Sequence, residues 1–255
     1  MALTNVFFVG TSTIAGGTAP SDSVAGVANG RDRIGFALVN ATYDHTGGAA
    51  ERLLTLAGAF TSYSFTAGDL IYLLNAAGGV ATGLYEIASK VDNNSITLVA
   101  DSGLTADSTG DVDSSDGAWA TLQYSFDTMS TAGSELRICD GPDTAASWEA
   151  AAQLDIDTNL GTEISPIIYV GADARGVTYE NTLTQREISA AALGAAVDLF
   201  ALTLSSMYRV IKNIRFTGDA GGRDLIVTGT NPGTITFYNC RIDSAVSDGF
   251  YSTST

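Results

Sequence analysis

Two hexapeptides decide how this chain reads: Lys212-Asn213-Ile214-Arg215-Phe216-Thr217 and, 26 residues on, Tyr238-Asn239-Cys240-Arg241-Ile242-Asp243. Alternate side chains of a β-strand point to opposite faces. Ile214 and Phe216 therefore share one face, matched by Cys240 and Ile242, while Arg215 and Arg241 occupy the other and can stack one above the other. A repeat of this length that superposes inward apolar and outward polar positions is how a solenoid looks in sequence. The alternative is a chance likeness between two unrelated strands.

Upstream of the pair, Asp116-Gly117-Ala118-Trp119-Ala120-Thr121-Leu122-Gln123 precedes Gly133-Ser134-Glu135-Leu136-Arg137-Ile138-Cys139-Asp140-Gly141. This order resembles the entry to a right-handed parallel β-helix of the pectate-lyase-like superfamily. The resemblance covers residues 116–250, is a likeness of fold, and points to no single enzyme. It implies a short capping helix before the first coil and a further coil at Ser165-Pro166-Ile167-Ile168-Tyr169-Val170-Gly171. Trp119, Leu122, Phe126 and Met129 recur at spacings of three and four, which places them on one face of that helix. Coil lengths read as irregular, and residues 176–196 fit no coil.

Before residue 100 the pattern is one of short apolar segments punctuated by Gly, Ser, Asn and Asp: Asn5 to Val9, Ile34 to Val39, Leu70 to Leu74, Leu84 to Ser89 and Ile96 to Val99. The last two form a hairpin across Asp92-Asn93-Asn94, residues that tolerate turn geometry. Residues 101–117 are dominated by Asp, Ser, Thr and Gly and read as a solvated boundary. The expected organisation is all-β: a small barrel or sandwich over 1–105, a linker over 106–117, and a short parallel β-helix with its capping helix over 118–255.

Composition narrows the function classes. Twelve Lys and Arg against 28 Asp and Glu leave a net charge of −16, which disfavours nucleic acid and anionic membranes as partners. Only Lys90 and Lys212 are lysines. No apolar run reaches the roughly 18 to 20 residues that a membrane helix needs, and the first basic residue, Arg31, comes too late for a secretory signal. Cys139 and Cys240 are too few for a disulfide framework and read as packing residues.

Chemistry has few candidates. Asp111, Asp113 and Asp116 begin like a calcium loop, but the sixth position is Asp116 where a glycine is needed and the twelfth is Leu122 where a bidentate acid is needed. A solvated linker is the favoured reading, and neither metal nor cofactor is expected. His45, the only histidine, reads as a surface-loop residue in Tyr43-Asp44-His45-Thr46-Gly47-Gly48. No phosphate-binding Gly-Lys-Ser or Gly-Lys-Thr and no GxSxG elbow is present. Carbohydrate cleavage would need paired carboxylates on neighbouring coils. Asp219, Asp224, Asp243 and Asp248 are the acids available, with Asp243 and Asp248 the pair to mutate first. The same acids suit the turns of any soluble solenoid.

A small N-terminal β domain joined to a β-helix, acidic and poor in lysine, resembles the virion-surface proteins of tailed phages: tailspikes, fibres and capsid decoration proteins. The resemblance implies a non-enzymatic structural protein made in the host cytoplasm and carried on the virion surface. It would dock to capsid or tail proteins through its N-terminal part and assemble as a homotrimer. The alternatives are a polysaccharide lyase or hydrolase, and an adhesin domain that binds a glycan without cutting it.

Overall fold

The computed structural model of the chain describes residues 5–11, 13–14, 16–22, 30–36, 38–45, 52–74, 80–99, 109–114, 117–129, 131–139, 147–150, 152–156, 161–179, 184–189, 199–202, 208–218, 226–228, 234–243 and 250–252. These are mostly strand, with one short helix. The chain divides into two compact units, Met1–Phe8 with Ser12–Trp119, and Val9–Thr11 with Ala120–Thr255.

The strands up to residue 112 are β1 (Val6–Val9), β2 (Ala41–Asp44), β3 (Leu53–Thr55), β4 (Leu70–Leu73), β5 (Gly83–Lys90), β6 (Ser95–Leu98) and β7 (Thr109–Val112). The last six form an antiparallel sheet in the order β4-β5-β6-β3-β2-β7. It curls until its two edges meet, where Leu73 bridges Ser114 and Leu74 N–H donates to Asp113 O at 2.9 Å. The enclosed core includes Tyr43, Leu54, Phe60, Ile71, Tyr85, Ile96 and Val112.

The expected hairpin is present as β5 and β6, with a register shift between Ile87 and Ser89. Two other expectations need correction. The described residues of Ile34 to Val39 form no strand: Asp32 Oδ1 accepts from Ile34 and Gly35 N–H at 2.8 and 3.0 Å, folding the start of the segment into a turn of the kind a short acidic side chain makes with its own backbone. Ile34, Phe36 and Leu38 are nonetheless buried. The stretch read as a linker contains β7, which pairs with β2 over its whole length. Ser114 closes the same segment, donating N–H to Leu38 O and accepting from Leu38 N–H through Oγ.

The second unit opens with α1 (Leu122–Thr128), whose N-terminus is capped by Thr121 Oγ1 accepting from Tyr124 N–H. Leu122 and Phe126 on this helix and Met129 at its end are buried, and Phe126 meets Tyr169 edge-on at 5.5 Å. Trp119 lies before the helix and belongs to the first unit, stacked on Phe7 at 5.0 Å.

The strands that follow are β8 (Glu135–Ile138), β9 (Ser147–Glu149), β10 (Leu154–Asp155), β11 (Ile167–Gly171), β12 (Arg186–Ser189), β13 (Phe200–Leu202), β14 (Tyr208–Lys212), β15 (Ile214–Thr217), β16 (Ile226–Thr228), β17 (Thr234–Tyr238), β18 (Arg241–Asp243) and β19 (Phe250–Ser252). They fill three sheets in rotation: β1-β8-β11-β14-β17, β9-β12-β15-β18 and β10-β13-β16-β19. Every described pair among β8 to β19 is parallel. Val9 takes part in this unit, its carbonyl accepting Cys139 N–H at 2.9 Å.

In-register pairing piles like positions into columns. Leu136, Tyr169, Ile211 and Phe237 form one, and Trp148, Ile188, Phe216 and Ile242 another. The 26-residue repeat emerges as true register, since Arg215 pairs with Arg241 and Lys212 with Tyr238. Each hexapeptide turns a corner rather than running straight. Asn213 and Asn239 sit at φ 56° and 50°, where asparagine is one of the few side chains tolerated, and Asn239 Nδ2 donates to Asn213 Oδ1 at 2.8 Å. The region that fitted no coil, 176–196, contains β12.

Candidate functional site

The sheet β9-β12-β15-β18 carries the one described cluster of opposite charges that joins three successive strands. Register sets Glu187 beside Arg215 and Arg215 beside Arg241, with Asp243 beside Thr217. Because β15 buries Ile214 and Phe216, its alternate residue Arg215 faces outward. Arg215 Nε donates to Asp243 Oδ2 at 2.6 Å, and its Nη1 lies 3.4 Å from Glu187 Oε2. Arg241 Nε donates to the other oxygen, Asp243 Oδ1, at 2.6 Å. Asp243 thus spans two strands, held by a guanidinium on each oxygen.

That arrangement decides what Asp243 can do. The Arg241 hydrogen bond, reinforced by Arg215, holds its carboxyl below the usual range, even against partial desolvation. A lowered carboxyl is the state of a charged ion-pair partner, whereas a general acid for glycoside cleavage works from a raised one. Asp243 is therefore built as an ion-pair hub. Such pairs, with side chains from 16% to 64% exposed, fix side-chain geometry more than they add stability. Asp248, Asp219 and Asp224 lie outside the described residues, and the described acid that shares a partner with Asp243 is Glu187, through Arg215.

The remaining sequence candidates scatter. Asp113 Oδ1 accepts Asn40 N–H at 2.8 Å, which ties the end of β7 to the start of β2. Asp111 lies in β7, and Asp116 is outside the described residues. Among the described residues no three His, Cys, Asp or Glu side chains come together as metal ligands. His45 is buried rather than a surface residue, because it continues the inward alternation of Ala41 and Tyr43 past the end of β2. Both cysteines are free thiols, Cys139 buried and Cys240 partly so, and burial pushes the Cys240 thiol up.

Two groups of buried charge were invisible to sequence reasoning. Asp32 and Arg33 are fully buried, and Asp32 accepts a third backbone bond from Tyr72 N–H at 2.7 Å, while the partly buried Arg31 lies 3.6 Å over the ring of Phe7. Arg186 and Arg209 point into the parallel unit. Arg186 Nη2 donates to Ala172 O and to Tyr179 Oη at 2.6 and 2.8 Å, and Arg209 Nη2 donates to Ile156 O at 3.3 Å. The detectable signal was positional, since Arg186 alternates with buried Ile188, and Arg209 with buried Ile211.

The first unit holds an open cleft of about 350 Å³, lined by Gly16, Gly17, Thr18, Phe36, Leu38 and Gly58 among others. Among the described residues that line it, none has a titratable side chain. No helix is long and apolar enough to cross a membrane, among the described residues. Compared with known proteins, the chain matches no family model, no curated protein and no solved structure.

Proposed function

We propose that this chain is a non-enzymatic structural protein of a virus-particle surface, a capsid decoration protein or a component of a phage fibre or spike, and that it works as an oligomer. In this reading residues 118–255 form a short right-handed parallel β-helix, and the curled N-terminal sheet docks to a capsid or tail protein. The observation that carries it is the in-register parallel stack whose outward acid, Asp243, is committed to two arginines. A stack of this kind is stiff and repetitive, and stiffness in a projecting element is what a particle appendage needs. The acidic surface, net −16, keeps such a protein off nucleic acid and anionic lipid.

Light scattering of the purified chain over a concentration series tests the assembly. A stable trimer near three times 26.3 kDa is expected, and a monomer at every concentration overturns the oligomer. A panel of acidic polysaccharides tests the absence of enzymatic activity. No unsaturated or reducing sugar is expected, whereas release that is lost in Asp243→Asn makes the chain a depolymerase. Binding without release would make it a glycan adhesin.

A further inference from the structure

One outward side of the parallel stack is apolar where a solvated sheet is polar. β11 lies between β8 and β14, and β14 between β11 and β17, so the backbones of both strands are paired on each side. The surface they leave is a face rather than an edge. Tyr169 and Ile211 are buried in the inward column, and alternation therefore turns Ile168, Val170, Tyr208, Val210 and Lys212 outward. β14 even reverses the usual order, with Arg209 inside and Val210 outside. Parallel strands that are apolar on both sides belong to sheets covered on both faces. Val170 is buried already, while Ile168, Tyr208 and Val210 keep part of their surface accessible. The outward side of the β9-β12-β15-β18 sheet carries Glu187, Arg215, Arg241 and Asp243 instead.

Charge selects the occupant. Register sorts the outward residues into two columns, Glu135, Ile168, Val210 and Thr236 in one, and Arg137, Val170, Lys212 and Tyr238 in the other. The described charges of this face are Glu135, Arg137 and Lys212, on a chain that carries −16 overall. Two copies therefore repel less here than through an average part of their surface. Arg137 is already engaged by Glu135 at 2.8 Å and by the Gly176 carbonyl, so the face offers an acidic partner little beyond Lys212.

A second copy meets it better. When two copies stand side by side with parallel axes, the first column of one faces the second column of the next at the same level. Glu135 then faces Arg137 of the next copy, Ile168 faces Val170, and Val210 lies along the methylene stem of Lys212. Among these positions no like charges are opposed.

We propose that the outward face of β11 and β14 is the surface through which copies of this chain pack side by side, about an axis parallel to the direction in which the strands stack. The proposal rests on the reading of the protein as an oligomer and adds which surface makes it and how the copies are aligned.

Light scattering of the full chain tests it. Val210→Asp puts a carboxylate into the apolar column and is expected to turn the trimer into a monomer with the far-UV spectrum unchanged. Val91→Asp, at an exposed position in the first unit, is expected to leave the mass as it is. Ile168→Thr combined with Val210→Thr keeps β-branched side chains and adds no charge, and should raise the concentration of half-assembly by about tenfold or more. The wild type supplies a reading that needs no substitution. Acylation of Lys212 by a lysine-reactive ester, followed by mass spectrometry, should slow as concentration rises through assembly, with Lys90, the other lysine, as the reference. If Val210→Asp loses its far-UV spectrum, the threonine pair and the Lys212 labelling decide. A mass indifferent to the folded variants, a mass lost equally in Val91→Asp, or Lys212 labelling that does not change on assembly overturns this face while leaving the oligomer standing. A wild-type chain monomeric at every concentration overturns both.

Discussion

At the scale of single residues, Asp32 is the most informative position. Its carboxylate accepts three backbone N–H bonds, two within its own turn and one from Tyr72, 40 residues away, on β4. Asp32→Ala leaves those buried donors without an acceptor, each costing about 1–3 kcal/mol. A loss of about 3 kcal/mol or more is expected in urea denaturation of the first unit. Burial, outweighing the three hydrogen bonds, pushes the Asp32 carboxyl up to about 6 from an ordinary 3.8. A carboxyl raised in the folded state favours folding when protonated, so its contribution is full below about pH 4 and lost as pH rises to about 6. The span corresponds to about 3 kcal/mol. The unfolding free energy of the wild type, less that of Asp32→Asn, should fall across this window and then stay level. A difference that rises with pH would mean that the hydrogen bonds outweigh burial.

At the scale of elements, the columns and corners of the parallel unit set the expectations. Asn213→Ala puts an ordinary side chain at φ 56° and removes the acceptor for Asn239 Nδ2. It should destabilise by about 1–2 kcal/mol more than Asn213→Gly, which keeps the backbone freedom. Gly171→Ala should be worse than either, because a Cβ there would run into the backbone oxygen of Asn213. Paired denaturation curves rank the three. The 26-residue repeat was legible because its spacing is preserved through Arg215, Phe216, Arg241 and Ile242. β7 was not, since Thr109 to Ser114 reads as solvated composition and becomes a strand only through β2, far away in sequence. Asp32 was illegible for the same reason, and Arg186 and Arg209 were legible only as positions in alternation with Ile188 and Ile211. Burial of a charge depends on carbonyls or N–H groups that distant segments deliver, and no local pattern records them. The ion-pair hub was half legible: the arginine stack followed from periodicity, while the capture of Asp243 needed the register.

At the scale of the whole molecule, charge opposes the assembly proposed above. Each copy carries −16, so copies repel over distances comparable with the Debye length, about 30 Å at 10 mM salt and about 8 Å at 150 mM. Burial of apolar surface between copies is nearly indifferent to salt in this range, and exposed ion pairs between them would contribute at most about 1 kcal/mol each. Repulsion between whole chains is therefore the larger salt-sensitive quantity, and raising salt from 10 to 150 mM should strengthen association. Light scattering at fixed protein concentration reads this as a rise in mean mass, steepest below 50 mM. Dissociation over the same range would show that charge pairs, rather than apolar contact, hold the copies together.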